Sequence, residues 1–402
     1  MNGAVATLRM TRLLLFLLLL GSSSGLIAQR NTLLTNMTIQ VECTEAIDSL
    51  YNFKFDVAEK QFNWLRQQYP DHPLSYFLLG LSEWWKIMPN DKIEVYDKSF
   101  TAYMDTTIYK ARDLYQEDPT NPEATFFLSA AYGFKSRILA DRGHYARATV
   151  AAKASLNALN ENIELGEAFS PEFLFGHGLY NYFREWIPEN KKFLRAVVMF
   201  FPKGDKELGI AQLEQVSKEA FYTRIEAMNF LMRIHGSYEN NRAAAFPIAK
   251  YLHENFPGNA VFHRYYMKIA FLQNKHLIVE KEAKLILKKI EDNETGYESE
   301  SGRLAAYFLA NELRYRGDTL ASKENYLKCV DFGHKLDLLH KGYCLLSLEQ
   351  LAEYSEKEDD LEQACIYYER IIKNAGENKK HASVINAKKK LKKHKRTLKK
   401  RS

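Results

Sequence analysis

Apolar residues recur at three- and four-residue spacing along nearly the whole chain after its first 28 residues, in segments separated by short Pro, Gly, Asn or Asp breaks. That period puts one apolar stripe on each helix, and no run shows the alternation of a strand. A helix pair cannot bury its stripe alone, so pairs in series must stack on one another. The expected fold class is therefore all-α: an α-α superhelix, a solenoid of about eight helical hairpins. The chain has 402 residues, 46% hydrophobic and 26% charged. This composition supports a continuous core and excludes a disordered chain or a disulfide-dense scaffold.

The clearest unit spans 41–72. Its second helix runs from Asp56 to Leu65 and closes at Tyr69-Pro70. Ala58, Phe62 and Leu65 share one face at i, i+4 and i+7. The small residue lets helices approach, the aromatic fills the gap between hairpins, and the proline blocks continuation. Pro73 to Gly80, with aromatics ahead of Leu79-Gly80, reads as the first helix of the next pair. Asn121-Pro122 to Tyr132 with Gly143 to Ala148 repeats the arrangement, as do Ala364, Tyr368 and Ile371 within 359–371. Further hairpins are expected at 221–257, 258–291 and 298–334. These units resemble degenerate tetratricopeptide repeats. The resemblance implies a curved superhelix whose concave wall docks proteins or peptides.

The middle of the chain is less regular. Ser170-Pro171 is expected to open a helix that carries Gly176-His177-Gly178-Leu179-Tyr180-Asn181-Tyr182-Phe183 and stops near Ile187-Pro188. The apolar run Phe193 to Phe201 follows, ended by Pro202. Asp205 is the expected N-cap of the next helix, and Gly204, Asp205 and Gly209 read as a turn, a cap and a close helix crossing. With Glu226-Ala227 and Phe256-Pro257, the stretch 170–275 is similar to tetratricopeptide proteins of the inclusion-body-clearance type and their exported bacterial relatives. It differs from the mitochondrial outer-membrane members in following an export signal.

Signals for chemistry are few. None of the 11 histidines falls in an HExxH or other recognised metal spacing, and there is no GxSxG elbow, Walker loop or GxGxxG after a strand. No catalytic residue, cofactor or metal is expected. Glu161, Glu164 and Glu167 read as a solvated helix face. The candidate partner-binding residues are His177, Tyr180, Asn181, Tyr182 and Trp186, with the Trp84-Trp85 pair beside them. Two readings compete with that one: aromatic residues at helical spacing as core, and a small-ligand or hydrolytic pocket around His177 and Asn181.

Residues 1–28 read as a signal peptide, with Arg9 and Arg12 before the apolar Leu13 to Leu20, small residues at 21–25 and cleavage after Ala28. The apolar run is far short of the roughly 20 residues of a membrane span. Export to a periplasm, cell envelope or secretory route is expected. The repeat domain then covers 29–378, with a net charge of −8, and a basic tail covers 379–402, with twelve Lys or Arg and no acid. Val384, Leu391 and Leu398 form a narrow apolar stripe there, among Lys388, Lys389, Lys392, Lys393, Lys395 and Arg396. Such a helix suits an anionic membrane surface, an acidic partner or the acidic body itself; nucleic acid is not expected. Cys43, Cys329, Cys344 and Cys365 show no zinc or CxxC spacing and read as small buried residues, while Cys344 and Cys365, on successive helices, could pair if the chain is exported. Asn36-Met37-Thr38 and Asn293-Glu294-Thr295 match the glycosylation sequon. The combined reading is an exported, non-catalytic scaffold or adaptor that binds protein or peptide partners, with peripheral membrane docking through the tail as the alternative.

Overall fold

The computed structural model describes residues 32–161 and 163–401; the signal peptide expected at 1–28 lies outside the described residues. Helices follow one another in antiparallel pairs. The first three pairs are α1 (Met37–Tyr51) with α2 (Phe55–Gln68), α3 (Pro73–Ile87) with α4 (Asp97–Glu117), and α5 (Pro122–Asp141) with α6 (Tyr145–Asn160). After the short α7 (Ile163–Phe169), α8 (Phe173–Asn190) is joined to α10 (Lys206–Glu219) through the single turn α9 (Arg195–Val198). Then come α11 (Arg224–Arg233) with α12 (Arg242–Asn255), α13 (Ala260–Leu272) with α14 (His276–Glu291), α15 (Ser299–Tyr315) with α16 (Thr319–Lys335), and α17 (Gly342–Lys357) with α18 (Leu361–Asn374). A last helix, α19 (Ala382–Arg401), closes the series, and no strand is found among the described residues. The fold is the all-α, tetratricopeptide-like solenoid that the periodicity requires.

The second helices share one packing register. Ala58, Phe62 and Leu65 of α2 are fully buried, as are Ala364, Tyr368 and Ile371 of α18. The same i, i+4, i+7 set is buried at Phe100, Met104 and Thr107, at Ala245, Ala249 and Leu252, at Val279, Ala283 and Ile286, and at Ser322, Tyr326 and Cys329. Cys329 therefore occupies the position of Leu65 and Ile371, and its role there is that of a small apolar side chain. All four cysteines are reduced and buried. The cysteine against Cys344 is Cys329 on the preceding helix: Cys344 Sγ donates to the Cys329 carbonyl at 3.8 Å.

With the π-helical turn Ile234–Tyr238 that extends α11 included, six of the eight pairs turn in three residues, and the middle residue is left-handed each time: Phe53, Gly143, Asn240, Asn274, Gly317 and Asp359, with φ between 53° and 81°. Five of these turns close with the same paired hydrogen bonds. At the Asn274 turn, Asn274 N donates to Phe271 O at 3.0 Å and Lys275 N to Ala270 O at 3.0 Å, the closure of a Schellman cap. Glycine, Asn and Asp reach that conformation readily, whereas phenylalanine does not. Phe53 is held in it by packing against Phe55 and Trp85, at ring separations of 5.3 and 6.1 Å.

The two pairs that break this rule are α3/α4, joined by residues 88–96, and α8/α10, joined by 191–205. Around α8 the sequence reading needs correction at both ends. Ser170-Pro171 forms a turn whose Ser170 carbonyl accepts from Phe173 N, and the helix begins only at Phe173. At the other end it runs through Pro188 to Asn190, because a proline in the last turn removes only one terminal hydrogen bond. Asp205 caps α10 as expected, accepting from Glu207 N at 2.9 Å and Leu208 N at 3.0 Å. Gly209 crosses α8 at Gly178, so close that a Cβ would lie 2.7 Å from both Gly178 O and Tyr182 N. Gly209→Ala is therefore expected to destabilise the chain by about 1–3 kcal/mol through overpacking. Urea unfolding checks this, and an unchanged midpoint would show that the crossing has slack.

The trough is not open along its length. Tyr51 and Trp85, from the first two hairpins, pack against Phe256 and Phe262, which flank the start of α13, at ring separations of 5.3–6.5 Å. Asn259 Nδ2 donates to the Tyr51 carbonyl at 2.9 Å. Glu226 on α11 accepts from Trp85 Nε1 at 2.6 Å and from the Tyr51 hydroxyl at 3.3 Å. The superhelix is wound so tightly that its first turns rest on the fifth and sixth hairpins. An extended docking trough is replaced by a clamp and a half-open hollow.

Candidate functional site

The hollow has a volume of about 610 Å³, within the usual range of ligand pockets, about 300–1,000 Å³. Its walls are first helices of successive pairs (α3, α5, α11, α13, α15 and α17) together with the long connection at 88–92. Eight Lys or Arg line it against three acids, although the body as a whole is acidic. Some of these cations are internally engaged. Arg142 binds Asp97 at 2.6 and 2.8 Å, Arg303 binds Glu300 at 2.7 Å, and Arg264 donates to the Pro89 carbonyl at 3.0 Å. Others are not fully used. Arg233 Nε is buried without a partner among the described residues, and Lys268 lies over the Tyr265 ring at 5.6 Å.

Tyr265 reports the resulting field. Burial alone pushes its phenol up, yet Arg233, Lys268, Arg264 and Arg137 outweigh burial and hold it below the ordinary tyrosine value. Arg137 is paired with Asp141 at 2.7 Å, Arg233 donates to the Tyr238 hydroxyl at 3.4 Å and Arg264 to Pro89, yet together with Lys268 they give the recess a positive character that favours an anion over a cation. Sequence reasoning missed this set because Arg137, Arg233, Arg264 and Lys268 come from three separate helices with no shared motif.

Buried carboxylates form a second group that spacing did not reveal. Glu172 accepts from Phe221 N, Tyr222 N and Thr223 N at 2.7–2.9 Å, holding the entry to α11. Glu123 accepts from Leu33 N at 3.2 Å and from His72 Nε2 at 3.1 Å, tying the segment before α1 to α5. Glu282 lies 2.9 Å from His263 Nε2 and 3.4 Å from His253 Nε2. Burial would raise Glu282, but hydrogen bonds from His253, His263 and Lys281 prevail and hold it well below the usual carboxylate range.

The residues singled out on α8 do not gather round one cavity. Tyr180 donates to the Pro202 carbonyl at 2.6 Å, and Asn181 Nδ2 donates to Gln212 Oε1 at 2.8 Å. Tyr182 is fully buried and donates to Glu239 at 2.6 Å. Trp186 packs on Tyr238 at 4.6 Å. His177 is buried, its Nε2 has no partner among the described residues, and burial pushes its imidazole below the usual value. Tyr180 and Asn181 fasten α8 to the α8/α10 connection and to α10, and Tyr182 and Trp186 fasten it to Tyr238 and Glu239 in the segment between α11 and α12. Trp84 does reach the hollow, while Trp85 belongs to the clamp.

The tail is an ordered helix. Val384 and Ala387 are buried and Leu391 packs on the core, so the apolar stripe faces the body. Lys390 and His394 meet Glu356, Asn386 donates to Glu349 at 2.6 Å, and Lys395 pairs with Glu369 at 2.6 Å. Lys388, Lys389, Lys392, Lys393 and Arg396 remain on the exposed face. The α8/α10 connection is also exposed: Phe193, Met199 and Phe200 show 63%, 71% and 90% of their surface. No helix among the described residues is long and apolar enough to cross a membrane.

No protein-family model and no curated protein matches this sequence. Among solved structures, the chain is similar to the TPR domain of P58(IPK), at 12% identity over 91% of this chain and 99% of that one, with a TM-score of 0.22. It is similar to a circular tandem repeat protein with a novel repeat topology, at 12% identity over 90% and 94%, TM-score 0.24. Yeast Tom70 is a third, at 12% over 88% and 96%, TM-score 0.21. The fold assignment rests on the hairpins and their shared register.

Proposed function

We propose that this chain is a non-catalytic helical-repeat scaffold that takes an acidic segment of a partner protein into its arginine-lined hollow. The observation behind this reading is the convergence of Arg137, Arg233, Arg264 and Lys268 on Tyr265. Export to an envelope or secretory compartment, and kinship of 170–275 with the inclusion-body-clearance type, belong to the same proposal. Fluorescence anisotropy with a glutamate-rich peptide tests it. Wild type is expected to bind that peptide in preference to a lysine-rich one, and less tightly as salt screens the charges. The double reversal Arg137→Glu with Lys268→Glu, at two partly exposed positions, is expected to weaken binding at least about tenfold, the loss of roughly one charge-assisted contact. Equal affinity for both peptides, or no change in the double variant, would count against the hollow as the site.

Peripheral attachment to an anionic membrane is a second reading. It is favoured by the exposed Phe193, Met199 and Phe200 set among Lys191, Lys192, Arg195 and Lys203, and by the basic outer face of α19. Aromatic side chains flanked by cations suit a headgroup boundary. Phe200→Asp and removal of 382–401 are each expected to reduce sedimentation with phosphatidylserine vesicles. Unaltered sedimentation of both variants removes this reading.

A further inference from the structure

We propose that His253, His263 and Glu282 form a binding site for a zinc-type divalent transition-metal ion, clipping three successive helices together. This inference is independent of the acidic-partner reading. His253 lies on α12, His263 on α13 and Glu282 on α14, and one ligand atom from each falls within 4.8 Å of the others. The two imidazole Nε2 atoms stand 3.4 and 2.9 Å from the same carboxylate oxygen, Glu282 Oε2. Zinc bonds of about 2.0–2.1 Å to N and O in a tetrahedron place ligand atoms about 3.3 Å apart, close to the two N–O separations found here. Two imidazoles with one carboxylate favour zinc and its neighbours over magnesium or calcium, which take oxygen ligands.

The surroundings supply what a ligating histidine needs. His263 is fully buried, and its Nδ1 lies 3.0 Å from the Tyr297 hydroxyl, which in turn reaches the Pro257 carbonyl at 3.3 Å. When Nε2 binds a metal, Nδ1 carries the proton and donates a hydrogen bond to the Tyr297 oxygen, whose hydroxyl in turn donates one to the Pro257 carbonyl. That chain of acceptors fixes the ligating tautomer, as outer-shell partners do in metal sites. Lys281 Nζ holds the other carboxylate oxygen, Oε1, at 3.1 Å, which leaves Oε2 for the ion. His253, stacked on His263 at 4.4 Å, keeps a buried Nδ1 with no partner among the described residues. With Nε2 on the ion, His253 Nδ1 carries a proton that has no acceptor among the described residues, so the outer partner is in place at His263 alone. The His253 side chain is the one ligand in appreciable contact with solvent, 14% exposed, and offers both an entry path and room for water in the fourth position.

The test uses the whole chain, stripped with a chelator and dialysed against Zn²⁺. Wild type is expected to take up one ion per chain and to melt at higher temperature with zinc. His253→Ala and Glu282→Gln are expected to lose that ion and the melting shift. Tyr297→Phe, which keeps the ring and removes the hydroxyl, is expected to bind about 10–100-fold more weakly. Co²⁺ in place of zinc gives a visible spectrum that His253→Ala abolishes. Wild type that takes up no zinc overturns the site, and so does His253→Ala with unchanged uptake and melting shift. If Glu282→Gln fails to fold, His253→Ala and Tyr297→Phe, checked by circular dichroism, decide the matter.

Discussion

Trp85→Ala is expected to lower the unfolding free energy by about 3–5 kcal/mol, the cost of truncating a large buried aromatic. Trp85 is fully buried and touches Tyr51, Phe53 and Phe262, so it joins residues of α1, the first turn, α3 and α13. Its loss opens a cavity and leaves Glu226 without its shorter hydrogen bond. Trp85→Phe separates the two contributions, because it keeps most of the packing and removes only the Nε1 donor. The half-exposed Trp64 on α2 is the control: its truncation removes a tryptophan that already faces solvent. Urea unfolding followed by near-ultraviolet circular dichroism measures all three. A Trp85→Ala cost no larger than that of Trp64→Ala would mean that the first hairpins do not clamp the fifth and sixth.

Glu226→Gln is expected to have nearly as large an effect, in the opposite direction and only above acid pH. Burial pushes the Glu226 carboxyl up to about 7, against the hydrogen bonds from Trp85, Tyr51 and Asn229. A carboxyl raised in the folded state binds its proton more tightly there than in the unfolded chain. Its contribution to stability is complete below its unfolded value of 4.5 and is lost as pH rises through about 7. The shift corresponds to about 3 kcal/mol. Glutamine keeps the accepting oxygen for Trp85 and carries no charge. The variant is therefore expected to match wild type near pH 4.5 and to exceed it by up to about 3 kcal/mol at pH 8. The difference between the two pH profiles isolates this group from Glu172, which burial also raises. Parallel profiles from pH 4.5 to 8 would sink the assignment. In a chain that clamps on itself, such a group makes closure tighter in acid and looser above neutrality.

Much of the repeat was legible because helical period and turn chemistry are local. Ala58-Phe62-Leu65 and Ala364-Tyr368-Ile371 announced themselves, and so did Asp205 as a cap and Gly209 as a crossing point. Units whose small position holds Phe100, Val279 or Ser322 match no simple pattern, and only their shared burial reveals the register. The boundaries of α8 were misjudged because Ser-Pro and Ile-Pro signals were read in isolation. The turn at Ser170 and the tolerance of Pro188 in a final helical turn decided otherwise.

Sites were harder to read than helices. Spacing drew attention to α8, yet Tyr180, Asn181 and Tyr182 are consumed by contacts to Pro202, Gln212 and Glu239. The hollow draws residues from helices tens of positions apart, and the His253–His263–Glu282 cluster takes one residue from each of three successive helices. Periodicity says which face of a helix is apolar, but not which polar residue it brings opposite another.

The helices, their pairing into stacked hairpins and the apolar register that binds neighbours are already written in the residue order, because those follow from 3.6-residue geometry and the need to bury one stripe. Closure of the superhelix on itself through Trp85 and Glu226 emerges in three dimensions alone. So do the inward-facing cations around Tyr265 and the sharing of one carboxylate by two histidines. These are long-range juxtapositions set by the accumulated rotation of successive hairpins, a quantity that no local pattern encodes.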